Sequence, residues 1–164
     1  MAFLTQAMNQ FTQAPILGLV DLIPTPEAIA CQIYASSTAA IQNGTVGKQS
    51  AVSGAGLPIV DAVTGPTDGP VFGVIPYTDR KNLYVANDVV QVVKSAGYMF
   101  MKSSAAINAG DKVTATAATT SADPLVTTVS VPTTQYVTGT ALDTCGAANA
   151  LLRIRISPSL NGAV

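Results

Sequence analysis

Histidine and tryptophan are absent from this 164-residue chain, glutamate occurs once, at Glu27, and charge is sparse, with 8 Lys+Arg against 9 Asp+Glu. Each absence excludes something. Acid and base work near neutral pH most often uses imidazole, so Ser-His-Asp and Cys-His constellations and every imidazole metal site are removed. Charged residues make up 10% of the chain, where about one quarter is usual for a soluble domain. The surface must therefore be covered by Ser, Thr, Ala, Gly and Gln, or by a neighbouring chain. A net charge of −1 provides no long-range field for phosphates, and the cations are scattered except for Arg80-Lys81 and Arg153/Arg155, which argues against nucleic acid as a partner.

Long apolar runs are missing too. The longest, Ala14 to Ile23, is broken by Asp21, short of the roughly 18 residues of a membrane span. The first cation is Lys48, so the opening residues lack the basic start of a secretory leader, and neither a leader nor a membrane is expected. Cysteine is limited to Cys31 and Cys145, read as free buried thiols rather than a bridge. They have no nearby partners for a zinc site, so no metal and no cofactor is expected.

What is present is β-forming. Leu57 to Val63, Val71 to Ile75, Asp88 to Lys94, Tyr98 to Lys102, Lys112 to Thr116, Leu125 to Val131, Gln135 to Leu142 and Leu151 to Ser157 are rich in Val, Ile, Thr and Tyr, which predicts short strands. Several alternate apolar with polar residues, as in Leu152-Arg153-Ile154-Arg155-Ile156, placing one face inward and one outward. Turn compositions such as Gly65-Pro66-Thr67-Asp68-Gly69-Pro70 separate them. The fold expected is all-β, a small β-barrel or β-sandwich, with one β domain over 26–164 preceded by an extended N-terminal arm over 1–25.

Two signals compete near the start of that domain. Thr25-Pro26-Glu27 resembles a helix start, with Ile29 and Ile33 at helical spacing. Against it stands an internal echo. Ser37-Thr38-Ala39-Ala40-Ile41-Gln42-Asn43-Gly44 recurs as Ser103-Ser104-Ala105-Ala106-Ile107-Asn108-Ala109-Gly110. In the same order, Val71-Phe72-Gly73-Val74 is matched by Val137-Thr138-Gly139-Thr140, and Asn87 to Val92 by Asn149 to Ile154. This suggests two related halves, about 30–95 and 96–157, and shortens the helix to one brief turn or none.

The acids offer little catalytic geometry. Asp68-Gly69, Asn87-Asp88, Gly110-Asp111 and Asp123-Pro124 read as turn side chains bonding their own backbone, not as a glycosidase pair. Asp143-Thr144-Cys145-Gly146 departs from the aspartic-protease triplet at Cys145 and has no second copy. Lys94-Ser95 and Lys102-Ser103 are neighbours on strands, so their side chains face opposite ways and cannot form a lysine-activated nucleophile. No catalytic residue is assigned, and the expectation is a protein that is not an enzyme.

The words Ser104 to Val113, Val137 to Asp143 and Leu151 to Ile156 resemble the C-terminal half of tailed-bacteriophage capsid decoration (cement) proteins. Gly56-Leu57-Pro58-Ile59-Val60 and Val71 to Ile75 fit the same pattern, so the resemblance spans about residues 30 to 157. It implies a structural virion protein, made in the host cytoplasm, that binds the outer face of an icosahedral head and stabilises its lattice. The partners implied are the major capsid protein and further copies of itself, as a homotrimer or other cyclic oligomer.

Met1 to Pro24 departs from that family's pattern. There Phe3, Leu4, Met8, Phe11 and Ile16 are interspersed with Gln6, Asn9, Gln10 and Gln13, too apolar for a solvated tail. These five apolar residues are the candidate subunit or capsid contacts. The competing class is a surface carbohydrate- or receptor-binding β module, disfavoured because sugar sites usually stack rings on aromatics, which are only 5% of this chain.

Overall fold

The computed structural model describes residues 16–20, 25–34, 41–52, 56–78, 83–116 and 124–159. Among these there are eleven strands and no helix. They are β1 (Glu27–Ile33), β2 (Ile41–Gln42), β3 (Val46–Val52), β4 (Pro58–Ala62), β5 (Val71–Val74), β6 (Leu83–Tyr84), β7 (Val89–Ser103), β8 (Lys112–Ala115), β9 (Leu125–Thr128), β10 (Val137–Ala141) and β11 (Leu151–Ser159). The all-β expectation holds.

Nine of the strands form one sheet that closes on itself twice. Running through β1, β4, β3, β5 and β7, the sheet returns to β1 by a β1–β7 pairing. Running through β7, β11, β10, β8 and β9, it returns to β7 by a β7–β9 pairing. The result is two five-stranded rings that share β7. Closure is how a small β protein removes its open edges.

The second ring repeats the pairings of the first. The parallel pairing of β1 with β4 has its counterpart in β7 with β9, and every other pairing in both rings is antiparallel. Single hydrogen bonds repeat as well. Asn87 N–H donates to Ile33 O as Asn149 N–H does to Ser103 O, and Gly44 N–H to Ile75 O as Gly110 N–H to Ala141 O. Asn87 and Asn149 have φ of 67° and 65°, and Gly44 and Gly110 of 83° and 93°, the left-handed region that asparagine and glycine tolerate best. Among the described residues, Ile41 to Gly44, Val71 to Val74 and Asn87 thus occupy the same places in the first ring as Ile107 to Gly110, Val137 to Thr140 and Asn149 do in the second.

Each ring has a core. Cys31, Ile33, Ile41, Val60, Ile75, Tyr84, Val90 and Val92 fill the first. Met99, Met101, Ile107, Val113, Val126, Leu152, Ile154 and Ile156 fill the second, and Val46, Val63, Val74 and Val93 of the first ring pack against that same cluster. The two rings are therefore joined both by the shared strand and by continuous apolar packing.

Two local expectations are corrected. The helix start at Thr25-Pro26-Glu27 is overridden by strand β1, which is paired on both sides by β4 and β7 and buries Cys31 and Ile33 at a period of two. The row of backbone partners on β7 from Glu27 to Gln32, joined by β4 at Gln32 and Ile33, outweighs a local capping preference. The strands expected at Asp88 to Lys94 and Tyr98 to Lys102 are one 15-residue strand. Its first half pairs with β1 and β5 and its second with β11 and β9.

Candidate functional site

The carboxylates hold loops. Asp68 accepts hydrogen bonds from Lys48 Nζ at 2.6 and 2.8 Å and from Thr64 N–H and Oγ1, each at 2.8 Å. Asp88 accepts from Val85 N–H at 2.7 Å and Asp111 from Asn108 N–H at 2.9 Å. Asp143 takes the Arg153 guanidinium through Nη2 at 2.6 Å and Nε at 3.0 Å, and the Arg153 N–H at 2.9 Å. Asp68, Asp88 and Asp111 are the turn acids the sequence singled out; Asp123 lies outside the described residues.

These contacts set the ionisation. Burial alone would raise the Asp68 carboxyl, but the Lys48 hydrogen bond, the two Thr64 hydrogen bonds and the Lys48 charge together outweigh it and hold the group below its ordinary value. For Asp143 the Arg153 hydrogen bond dominates over burial and gives the same direction. A carboxylate whose folded pKa is depressed contributes stability that is present above the ordinary carboxylate range and is lost as pH falls through the folded value. Asp68→Asn is accordingly expected to cost about 1 kcal/mol at pH 7. The gap to the parent should narrow towards about pH 3, as read by urea unfolding at both pH values; a gap independent of pH would refute the role of the charge.

The other sequence candidates are also placed. Cys31 and Cys145 are free and buried. Burial pushes the Cys31 thiol up to about 11, opposed by the nearby Lys94 charge, so the native thiol is protonated at pH 8 and is a poor nucleophile. Its labelling by a thiol reagent is expected to wait for unfolding, and a burst of Cys31 labelling in the native state would contradict this. Ser103 is fully buried, donates to Ala147 O at 3.0 Å and accepts from Ala150 N–H at 3.2 Å. It is a structural tie between β7 and the turn before β11. In the Asp-Thr-Cys-Gly stretch, Asp143 is engaged by Arg153 and the buried Cys145 forms a β-bridge with Ile107.

No group of three or more His, Cys, Asp or Glu capable of holding a metal ion occurs among the described residues. Several aromatic side chains are engaged. Arg153 lies 5.6 Å from the Tyr98 ring centroid, Lys94 lies 5.3 Å from that of Phe72, and Tyr84 is buried with its hydroxyl 2.9 Å from Thr78 Oγ1. A groove where the two rings meet is lined by Glu27, Phe72, Lys94 and Pro158.

Apolar surface is the remaining feature. Ile29, Tyr77, Leu83, Val85, Val89 and Val131 are exposed. Of the arm candidates, Phe3, Leu4, Met8 and Phe11 lie outside the described residues, and Ile16 is half-buried at the start of a strap. Within this strap, Leu19 N–H donates to Ile16 O, Gly18 N–H to Phe100 O, Phe100 N–H to Leu19 O, and Tyr77 N–H to Gly18 O. The strap bonds to β7 through Phe100 and to the chain beyond β5 through Tyr77, both in its own molecule. Nothing in the sequence signalled the strap, because its hydrogen bonds are made by backbone atoms.

No family model matches the chain, and no curated protein matches it. Among solved structures, the chain is similar to the N base of the head fiber gp8.5 of bacteriophage phi29, with a TM-score of 0.49 and 16% identity, over 82% of this chain and 97% of that one.

Proposed function

We propose that this chain is a structural virion protein that binds the outer surface of an icosahedral phage head and cements the capsid lattice, without enzymatic activity. Its partners in this reading are the major capsid protein and further copies of itself in a cyclic oligomer. The observation that supports it best is the division of labour on the described surface. Four acids that could do chemistry are engaged within the molecule, Asp68, Asp88 and Asp111 by their own loops and Asp143 by Arg153 of β11, while large apolar side chains stand exposed. A surface of that kind suits extended contact with other chains. The resemblance of the Ser104 to Val113 and Leu151 to Ile156 words to capsid decoration proteins adds to it.

Cementing needs many modest contacts, and a ring presenting the same patch several times gains avidity without stronger single contacts. The test is co-sedimentation with assembled phage heads from which the protein has been omitted. Saturable binding is expected, together with a higher temperature for release of packaged DNA. Because the contact surface has so little charge, binding should persist at about 1 M salt, where exposed ion pairs are screened. Absence of the protein from the head pellet would refute the reading; binding to a glycan array instead would favour the surface-binding module.

A further inference from the structure

The exposed apolar side chains are divided unevenly between the two rings. Ile29, Tyr77, Leu83, Val85 and Val89 belong to the first ring and its connections, and Val131 to the second. Since the rings repeat each other's pairings, the second serves as an internal control for the first. The Ile107–Cys145 bridge stands where Ile41 pairs with Tyr84. Thr144 therefore takes the place of Leu83, and Gly146 or Ala147 that of Val85, so the second ring has no large apolar side chain at either position. The fold does not need Leu83 at 48% exposure or Val85 at 56%.

Leu83, Val85 and Val89 lie close together in the chain, on either side of one tight turn. Leu83 and Val85 flank the buried Tyr84 and so face away from the core. Val85 closes a tight turn with Asp88, its N–H donating to Oδ2 and its carbonyl accepting from the Asp88 N–H. Val89, 61% exposed, follows directly. The strap ends on the same part of the first ring. The Leu17 side chain lies against Gly44, and Gln42, two residues earlier, pairs with Leu83.

We propose that Leu83, Val85 and Val89 are the seat for the uncharged arm, residues 1–15, of a second copy of this chain. Arm and seat match in chemistry, since no charge precedes Asp21 and Phe3, Leu4, Met8 and Phe11 are available to bury. The reach is sufficient, because fifteen extended residues span up to about 50 Å, against a radius of gyration of about 15 Å for a compact chain of this length. Each chain has one arm and one seat, so a head-to-tail contact uses both on every copy and can close into a ring. The inference rests on the cyclic-oligomer part of the function proposed above.

Analytical ultracentrifugation of three full-length chains tests it: the parent, a seat variant L83E/V85E and an arm variant F3D/F11D. The parent is expected to sediment as a ring of fixed mass, and each variant as a monomer with the melting temperature of the parent subunit. Mixing the variants should yield a 1:1 dimer, because the intact arm of one meets the intact seat of the other. A parent that is monomeric, a variant with the parental mass, or a mixture that stays monomeric overturns the proposal. The milder L83S/V85S pair replaces the seat variant if the glutamates prevent folding. Pelleting the same samples with phage heads separates the two claims. A ring that does not bind heads overturns the capsid function alone, whereas a monomer that binds heads overturns the arm seat alone.

Discussion

Gly139→Ala is expected to lower the melting temperature by about 6–12 °C, corresponding to about 3 kcal/mol for forcing a group into filled space in a protein of this size. A Cβ at position 139 would lie inside van der Waals contact with the Arg155 carbonyl oxygen and 2.9 Å from Ile154 Cγ2. The first of these is backbone of the paired strand and cannot rotate away. Gly73 holds the corresponding position in the first ring, where a Cβ would collide with the Val93 carbonyl oxygen and meet Val92 Cγ1 at 2.7 Å. Gly73→Ala should therefore produce a loss of similar size. Gly146→Ala is the control, since no atom lies within 4 Å of its added methyl, and its effect should stay within about 0.5 kcal/mol. Thermal unfolding followed by circular dichroism decides the matter: equal stability of the 139 and 146 variants would refute the close-approach argument.

Ile154→Ala should cost about 3–4 kcal/mol, the usual range for truncating a fully buried aliphatic side chain together with the cavity it leaves. Ile154 is 0% exposed, with Met99 and Ala141 as its partners on the two neighbouring strands. Val92 is its counterpart in the first ring and is equally buried. Val92→Ala removes less volume and should cost less by about 1 kcal/mol, one methylene's worth of burial. Both variants should still unfold in one transition, because β7 and the packing of Val46, Val63, Val74 and Val93 against the second core link the rings. Two separated transitions in either variant would show that the rings are independent, contrary to a shared strand.

Strand positions were legible wherever the local pattern coincided with the final environment. Leu151 to Ser157 alternates apolar and polar, and β11 buries Leu152, Ile154 and Ile156 while exposing Arg153, Arg155 and Ser157. The acids beside turn residues were legible for the same reason, since Asp68, Asp88 and Asp111 bond backbone only a few residues away. The β3 strand was not. Gly47, Lys48, Gln49 and Ser50 have little β preference, and the segment is extended because β4 pairs along it and β5 pairs with Gly47 and Lys48 from the other side. Nor could the local pattern show that β7 is a single strand, since the change of partners between Ser95 and Ala96 is made by distant strands.

The apolar seat was equally hidden. Leu83 and Val85 are ordinary strand residues in a list of letters, and only their separation from the core by Tyr84 leaves them exposed. Composition, by contrast, needed no coordinates. A chain without histidine, with one glutamate and 10% charge lacks imidazole chemistry and a strong electrostatic field, because those properties depend on which side chains exist. An all-β fold also followed from the sequence, since period-two alternation and turn residues act over a few neighbouring positions. Closure into two rings, the sharing of β7, the strap across Phe100 and Tyr77 and the gathering of apolar residues on the first ring were decided by tertiary structure alone, because each depends on pairings between residues far apart in the chain.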